Sequence, residues 1–225
     1  MSLASGINTI DALVYSSWNT APNTGITLTY NFPQTLPPGF ADYDANGFAP
    51  MPAVQQQAVR AALAAWAAVA NIVFVETASG GNIVFATNDQ GGESDAYAYL
   101  PDAVARYTTA VFTNHRYRLD DYMAPGEGGF TALLHEIGHT LGLKHPGHYD
   151  GAGDETGGPY LPAALETRAY TQMSYNQSGT YGMTGKEGLT PMLYDIQAVQ
   201  YLYGANLAWH SGDDVYTFHT GRAPQ

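Results

Sequence analysis

A chain of 225 residues, 45% apolar and 12% charged, can bury a substantial core as one large domain or two small ones. Eight Lys plus Arg against 20 Asp plus Glu give a net charge of −12, which repels phosphate backbones and anionic lipid and argues against nucleic-acid and membrane-surface partners. There is no Cys, so disulfides, thiolate metal sites and a Cys nucleophile are excluded together.

Residues 1–24 mix Asn, Ser, Thr and Gly with isolated Ile7, Ile10, Leu13 and Trp18, and they read as a partly ordered arm. They lack the basic start and apolar run of an export signal, and no apolar run approaches the ~18 residues of a membrane span. From Gly25, Ile26, Leu28, Tyr30 and Phe32 alternate with Thr27, Thr29 and Asn31 until Pro33, the pattern of a half-buried strand. The Pro- and Gly-rich stretch 33–50 reads as loop. Pro52 suits the first position of a helix in which Val59, Leu63, Trp66 and Ala70 recur at helical spacing, ending near Asn71. Residues 72–76 and 83–87 are short β-branched and aromatic runs separated by Ser79-Gly80-Gly81-Asn82, so two strands are expected. A short edge strand over 97–100, closed by Pro101, and a strand over 109–114 follow. After a charged loop (Arg116, Arg118, Asp120, Asp121), Gly128-Gly129 opens a helix with Phe130, Leu133, Leu134, Ile137 and Leu141 as its apolar residues. The Gly- and Pro-rich stretch 146–169 is loop. A last helix is expected over 189–203, where Leu193, Ile196, Val199, Gln200 and Tyr203 repeat at three and four and Gly204 caps the end.

The helix after Gly129 carries His135-Glu136-Ile137-Gly138-His139-Thr140-Leu141-Gly142-Leu143-Lys144-His145. His135 and His139, four residues apart, project one turn above each other and can hold one metal ion together. Glu136 sits one position round, close enough to act on a water but badly placed to be a ligand. Gly142 can leave the helix through a left-handed turn and return His145 to the same point. Three His nitrogens leave a fourth tetrahedral position open, as in catalytic rather than structural zinc sites. Zinc suits neutral imidazoles with no thiolate present, although copper or cobalt can occupy the same geometry. Zinc brings the pKa of a bound water towards ~7, where Glu136 can take its proton during attack on a polarised carbonyl. Two His four apart can also be surface residues or a satisfied core pair; that reading must explain two imidazoles and a carboxylate on one side of an apolar helix.

The His135–His145 run resembles the long zinc signature of metzincin metalloproteases. With Pro146 and Gly147 directly after it, it resembles the serralysin family in particular. Met173, in Met-Ser-Tyr, matches that family's Met-turn, and Tyr175 matches a tyrosine that ligates resting zinc and swings to stabilise the oxyanion. Residues 193–206 resemble the closing helix of the serralysin catalytic domain, and 96–101 its substrate-side edge strand. The likeness covers most of residues 10–218. It implies an α+β metzincin-type zincin, with a twisted mixed sheet packed on two long helices above an irregular lower subdomain that holds a C-terminal helix. The implied activity is zinc-dependent hydrolysis of internal peptide bonds. The implied site is His135, His139, His145 and Tyr175 on one zinc, Glu136 as base, Tyr175 as oxyanion donor and Met173 as structural floor.

The implied setting is a monomer secreted by bacterial type I export, acting on protein or peptide substrates and open to control by a proteinaceous inhibitor. The expected organisation is an arm at 1–24, a catalytic domain at 25–209, and at 210–225 the start of a linker to a calcium-binding β-roll. Residues 212–218 resemble the entry to that roll, but no nonapeptide repeat follows, so calcium is expected only with the full-length family architecture. The chain is then a shortened form or a minimal member. The charged segment 115–129 departs from the family and leaves substrate preference open.

His148, three after His145, competes as third ligand, although the spacing from Gly142 favours His145. His115, His210 and His219 lack a partner motif and read as structural or exposed. Asp150, Asp154 and Glu155 form an acidic loop without an ordered calcium-ligand pattern. Two other classes of function stay open: a zinc-stabilised binding module, and a protease held inactive by an N-terminal segment or separate inhibitor, for which a thiol latch is excluded.

Overall fold

A single helical turn, α1 (Asn8–Asp11), begins the segment that runs inward to bury Ile10, Leu13, Val14 and Trp18 in the main core. The computed structural model describes residues 3–92, 94–102, 108–116, 119–149, 157–177 and 188–213. The stretch expected as a partly ordered arm is therefore anchored from Ile10 onward. The Lys144 N–H donates to the Leu13 carbonyl at 2.7 Å, and Val14 bridges Leu143. Partners this distant in sequence leave no local period among the isolated apolar residues.

The alternating run forms β1 (Ile26–Asn31). Within the stretch read as loop lie a one-turn helix, α2 (Asp42–Ala45), and a two-residue strand, β2 (Ala49–Pro50), both too short to show a period. Then come α3 (Ala53–Val69), with Pro52 at its N-cap, β3 (Ile72–Glu76), β4 (Ile83–Asn88), β5 (Ala96–Ala98) and β6 (Thr109–Asn114). A 3-10 turn (Leu119–Tyr122) leads to α4 (Gly128–Thr140), and α5 (Leu193–Tyr203) ends at Gly204, whose φ of 82° provides the cap.

The sheet order is β3-β1-β4-β6-β5, with β2 antiparallel against the end of β4. β1, β3, β4 and β6 are parallel; β5 alone on that path is antiparallel, pairing Ala96 with Thr113 and Ala98 with Val111. Every residue of β4 and β6 is buried, because both faces of the sheet are covered. On one face Phe85 and Val111 join Leu63, Trp66 and Leu134 in the core that α3 and α4 close. On the other, Val84, Ala86, Ala110 and Phe112 meet Leu36, Phe40 and Phe48 from the 33–50 stretch. The result is the expected α+β architecture: a mixed sheet on two long helices, with the C-terminal helix α5 below. No helix among the described residues is long and apolar enough to cross a membrane. Asp150, Asp154, Glu155 and His219, and 214–218 of the stretch likened to a β-roll entry, lie outside the described residues.

Candidate metal centre

The C-terminal half of α4 is held from three directions. The indole N–H of Trp66 on α3 donates to the Leu134 carbonyl at 3.2 Å. At the helix end, where carbonyls lack helical partners, the Trp18 indole donates to Thr140 at 2.7 Å and the Tyr203 hydroxyl to Leu141 at 2.8 Å. Gly142 then takes a φ of +99°. The Gly142 N–H donates to the His139 carbonyl at 2.9 Å and the Leu143 N–H to the Gly138 carbonyl at 3.0 Å, the paired bonds of a Schellman motif. A Cβ on Gly142 would stand 2.1 Å from the Ser16 carbonyl oxygen, so only glycine suits both the conformation and the approach of the N-terminal segment.

This turn brings His145 back to the helix. The Nε2 atoms of His135, His139 and His145 converge, 3.1 Å between the first and each of the others and 3.2 Å between the last two. His135 Nδ1 lies 2.8 Å from the Gln172 carbonyl oxygen and His139 Nδ1 2.8 Å from that of Leu143, while the His145 ring bonds the Tyr149 backbone. A carbonyl only accepts, so the Nδ1 atoms of His135 and His139 carry the proton and their Nε2 atoms present lone pairs to the cluster. Lone pairs gathered this closely repel unless a cation lies among them. Tetrahedral zinc with Zn–N bonds of ~2.0–2.1 Å separates its nitrogen ligands by roughly 3.3–3.4 Å, so small ring movements admit it. The triad can hold one zinc ion.

Electrostatics favour neutral ligands. Burial, then the neighbouring His139 and His145, holds His135 well below the ordinary imidazole range, and burial followed by His139 brings His145 down to about 3. The buried Glu136 carboxyl is pushed up to about 8, by desolvation first and then by the charge of Asp95, which directly precedes β5. A cation at the three nitrogens acts in the opposite direction on that carboxyl.

Tyr175 lies beside the triad, its ring centroid 4.6 Å from that of His145 and 5.5 Å from that of His135, nearly parallel to the latter at 19°. Met173 is fully buried beneath, its sulphur against Gly138 in the last turn of α4. Asp195 at the start of α5 supports this turn, accepting from the Thr171 hydroxyl at 2.5 Å and the Gln172 N–H at 2.7 Å. His148 is exposed against Tyr160 and takes no part in the cluster. His115 and His210 are also outside it. Three residues escaped the sequence reading. Tyr149 packs on both His145 and Tyr175, Glu166 binds the Tyr149 hydroxyl, and Asp195 props the turn. The one available signal was Tyr149's position four residues after His145.

A Glu beside the first of two helical His, a glycine turn to a third His and a buried methionine beneath form an arrangement that resembles metzincin-type metal centres. The chain is 35% identical over 220 residues to Metalloprotease AprA of Pseudomonas entomophila (strain L48), covering 91% of this chain and 45% of that protein. It is 36% identical over 228 residues to Serralysin of Proteus mirabilis (91% and 46%) and 38% identical over 220 residues to Serralysin C of Dickeya chrysanthemi (91% and 45%). No protein-family profile matches the chain. With the His triad in place, the chain is similar over about nine-tenths of its length to a part of these serralysin and AprA metalloproteases. It spans less than half the length of the relatives it matches.

Proposed function

We propose that this protein is a zinc-dependent endopeptidase that hydrolyses internal peptide bonds, with His135, His139 and His145 as the metal ligands. The observation that carries the reading is the convergence of three Nε2 atoms at 3.1–3.2 Å with Glu136 on the same helix. Bound zinc supplies Lewis acidity to the scissile carbonyl and to the attacking water. Glu136 accepts a proton from that water and returns it to the leaving amine nitrogen, which a single buried carboxyl can do in sequence. Tyr175, half exposed beside the triad, is placed to donate its phenolic hydrogen to the oxyanion and would be a further ligand to a bound zinc.

Peptide lies extended along β5, which among the described strands pairs with β6 only and so offers its outer edge for strand addition. That mode reads backbone before side chains and suits unfolded protein substrates. The same reading places a monomer outside the cell, exported by the type I route and open to a protein inhibitor. The test is mass spectrometry of peptides released from a mixed proteome with zinc and with chelator. New internal termini that appear only with zinc support the proposal; the same peptides in both samples, or none in either, remove it.

A further inference from the structure

Tyr175 is 50% exposed, and a tyrosine on a loop pays rotamer entropy to stand in one place. What surrounds it is a polar frame built from a different part of the chain. The Tyr149 ring stacks on the Tyr175 ring at 5.1 Å and 24°, and it also meets the His145 ring at 5.5 Å. The Tyr149 hydroxyl donates to Glu166 and accepts the Tyr175 backbone N–H at 3.1 Å. Glu166, itself 6% exposed, also accepts from the Ser174 hydroxyl at 2.6 Å and from the Asn176 side-chain amide. The residues on both sides of Tyr175, and the backbone of Tyr175 itself, are thus fastened to one carboxylate and one phenol. Arg168 adds to the frame, its Nε donating to the Ser174 carbonyl at 3.2 Å and its N–H to that of Asn176 at 2.9 Å.

We propose that Tyr149 and Glu166 are positioning residues that hold the Tyr175 phenol at the metal centre; this rests on the reading of Tyr175 as oxyanion donor. Neither residue touches the reacting atoms. Both act through Tyr175, Tyr149 by stacking and by fixing the backbone, Glu166 by fixing Tyr149, Ser174 and Asn176 together. A carboxylate taken out of water and surrounded by three donors is satisfied only while this segment keeps its shape, so the segment has one favoured arrangement.

The test is a double-mutant cycle of Tyr149→Phe with Tyr175→Phe in the zinc-loaded protein, followed on a fluorogenic peptide. Tyr149→Phe alone is expected to lower kcat about tenfold with KM unchanged, the loss of one hydrogen bond expressed in the transition state. In the Tyr175→Phe background it should change kcat by less than about twofold, because the group it positions is gone. An equal drop in both backgrounds, or no drop in the first, overturns the inference while leaving Tyr175's role intact. If Tyr175→Phe itself retains full kcat, the oxyanion reading falls, and the inference with it. A second readout needs no catalysis: amide hydrogen exchange in the chelator-treated protein. There the Tyr175 N–H should exchange about tenfold faster in Tyr149→Phe than in the wild type; unchanged protection contradicts the proposal. Should Tyr149→Phe lower the melting temperature sharply, Glu166→Gln, which keeps the size of the side chain, enters the same cycle with the same expected outcomes.

Discussion

Gly138 and Met173 meet so closely that a Cβ on the glycine would stand 2.6 Å from the methionine sulphur and 3.3 Å from Cζ2 of Trp66. The contact lies between His135 and His139 of α4, one residue before the latter, so the same glycine that weakens the helix admits the floor of the site. Gly138→Ala gains ~1 kcal/mol of helix propensity but overpacks a fully buried methionine at ~1–3 kcal/mol. We expect a net loss of about 1 kcal/mol by denaturant unfolding. In a Met173→Ala background the same change should cost less or turn stabilising, since only the 3.3 Å approach to Trp66 then opposes the propensity gain. An equal loss in both backgrounds would show that the sulphur does not set the glycine.

Gly142 presents a harder constraint, because its neighbour is backbone. With φ at +99° and Ser16 O 2.1 Å from a hypothetical Cβ, Gly142→Ala must shift either the turn or the N-terminal segment. The left-handed conformation alone costs ~1–2 kcal/mol for a residue with a Cβ. Because His145 depends on that turn, zinc affinity by chelator competition should fall by at least about tenfold. Unaltered affinity would mean that His145 reaches its place by other means.

Much of the frame was readable. β1 alternates because one face is more buried than the other, and α3 and α4 repeat at helical spacing because each turns one stripe to the core. The meeting of His135, His139 and His145 follows from a four-residue spacing and one glycine, both local. What was not readable is non-local. Trp18 and Tyr203 cap α4 across separations of 122 and 62 residues, and nothing in their own neighbourhoods announces it. Tyr149 and Glu166 are polar residues in aperiodic loop, where function leaves no pattern. α2 and β2 fall below the length at which a period exists.

Asp44, missed with α2, ties β5 to the sheet's outer layer. Its carboxylate, 1% exposed, accepts from the Tyr97 hydroxyl at 2.7 Å, the Tyr99 hydroxyl at 2.8 and 3.0 Å and the Ala41 N–H at 2.8 Å. Asp44→Ala strands these donors and should cost about 3 kcal/mol in urea unfolding. Peptide kinetics should show KM rising with kcat little changed if, as proposed, the altered strand binds peptide backbone and does not enter the chemistry. A fall confined to kcat would place the effect elsewhere.

Arg60 and Glu76 join α3 to β3 at 2.7 Å, and the Arg60 guanidinium, with help from the Tyr30 hydroxyl, holds the Glu76 carboxyl below its ordinary 4.5. A carboxyl depressed on folding contributes stability above its unfolded value, and that contribution is lost as pH falls through the folded value. Glu76→Gln should therefore lower stability at pH ~7 by less than ~1 kcal/mol, both side chains being more than two-fifths exposed, and should match the wild type at pH ~2–3. Paired denaturant curves at the two pH values decide it; a difference that survives in acid excludes the ion pair as its source.

The reading of the metal centre turns on Glu136 as proton carrier and not as ligand, and Glu136→Ala separates the two roles. Zinc content by atomic absorption and turnover of casein are measured on the same preparation. One zinc per chain, with turnover lower by ~100-fold or more, is the predicted result. Undiminished turnover, or loss of zinc from a folded protein, would contradict it.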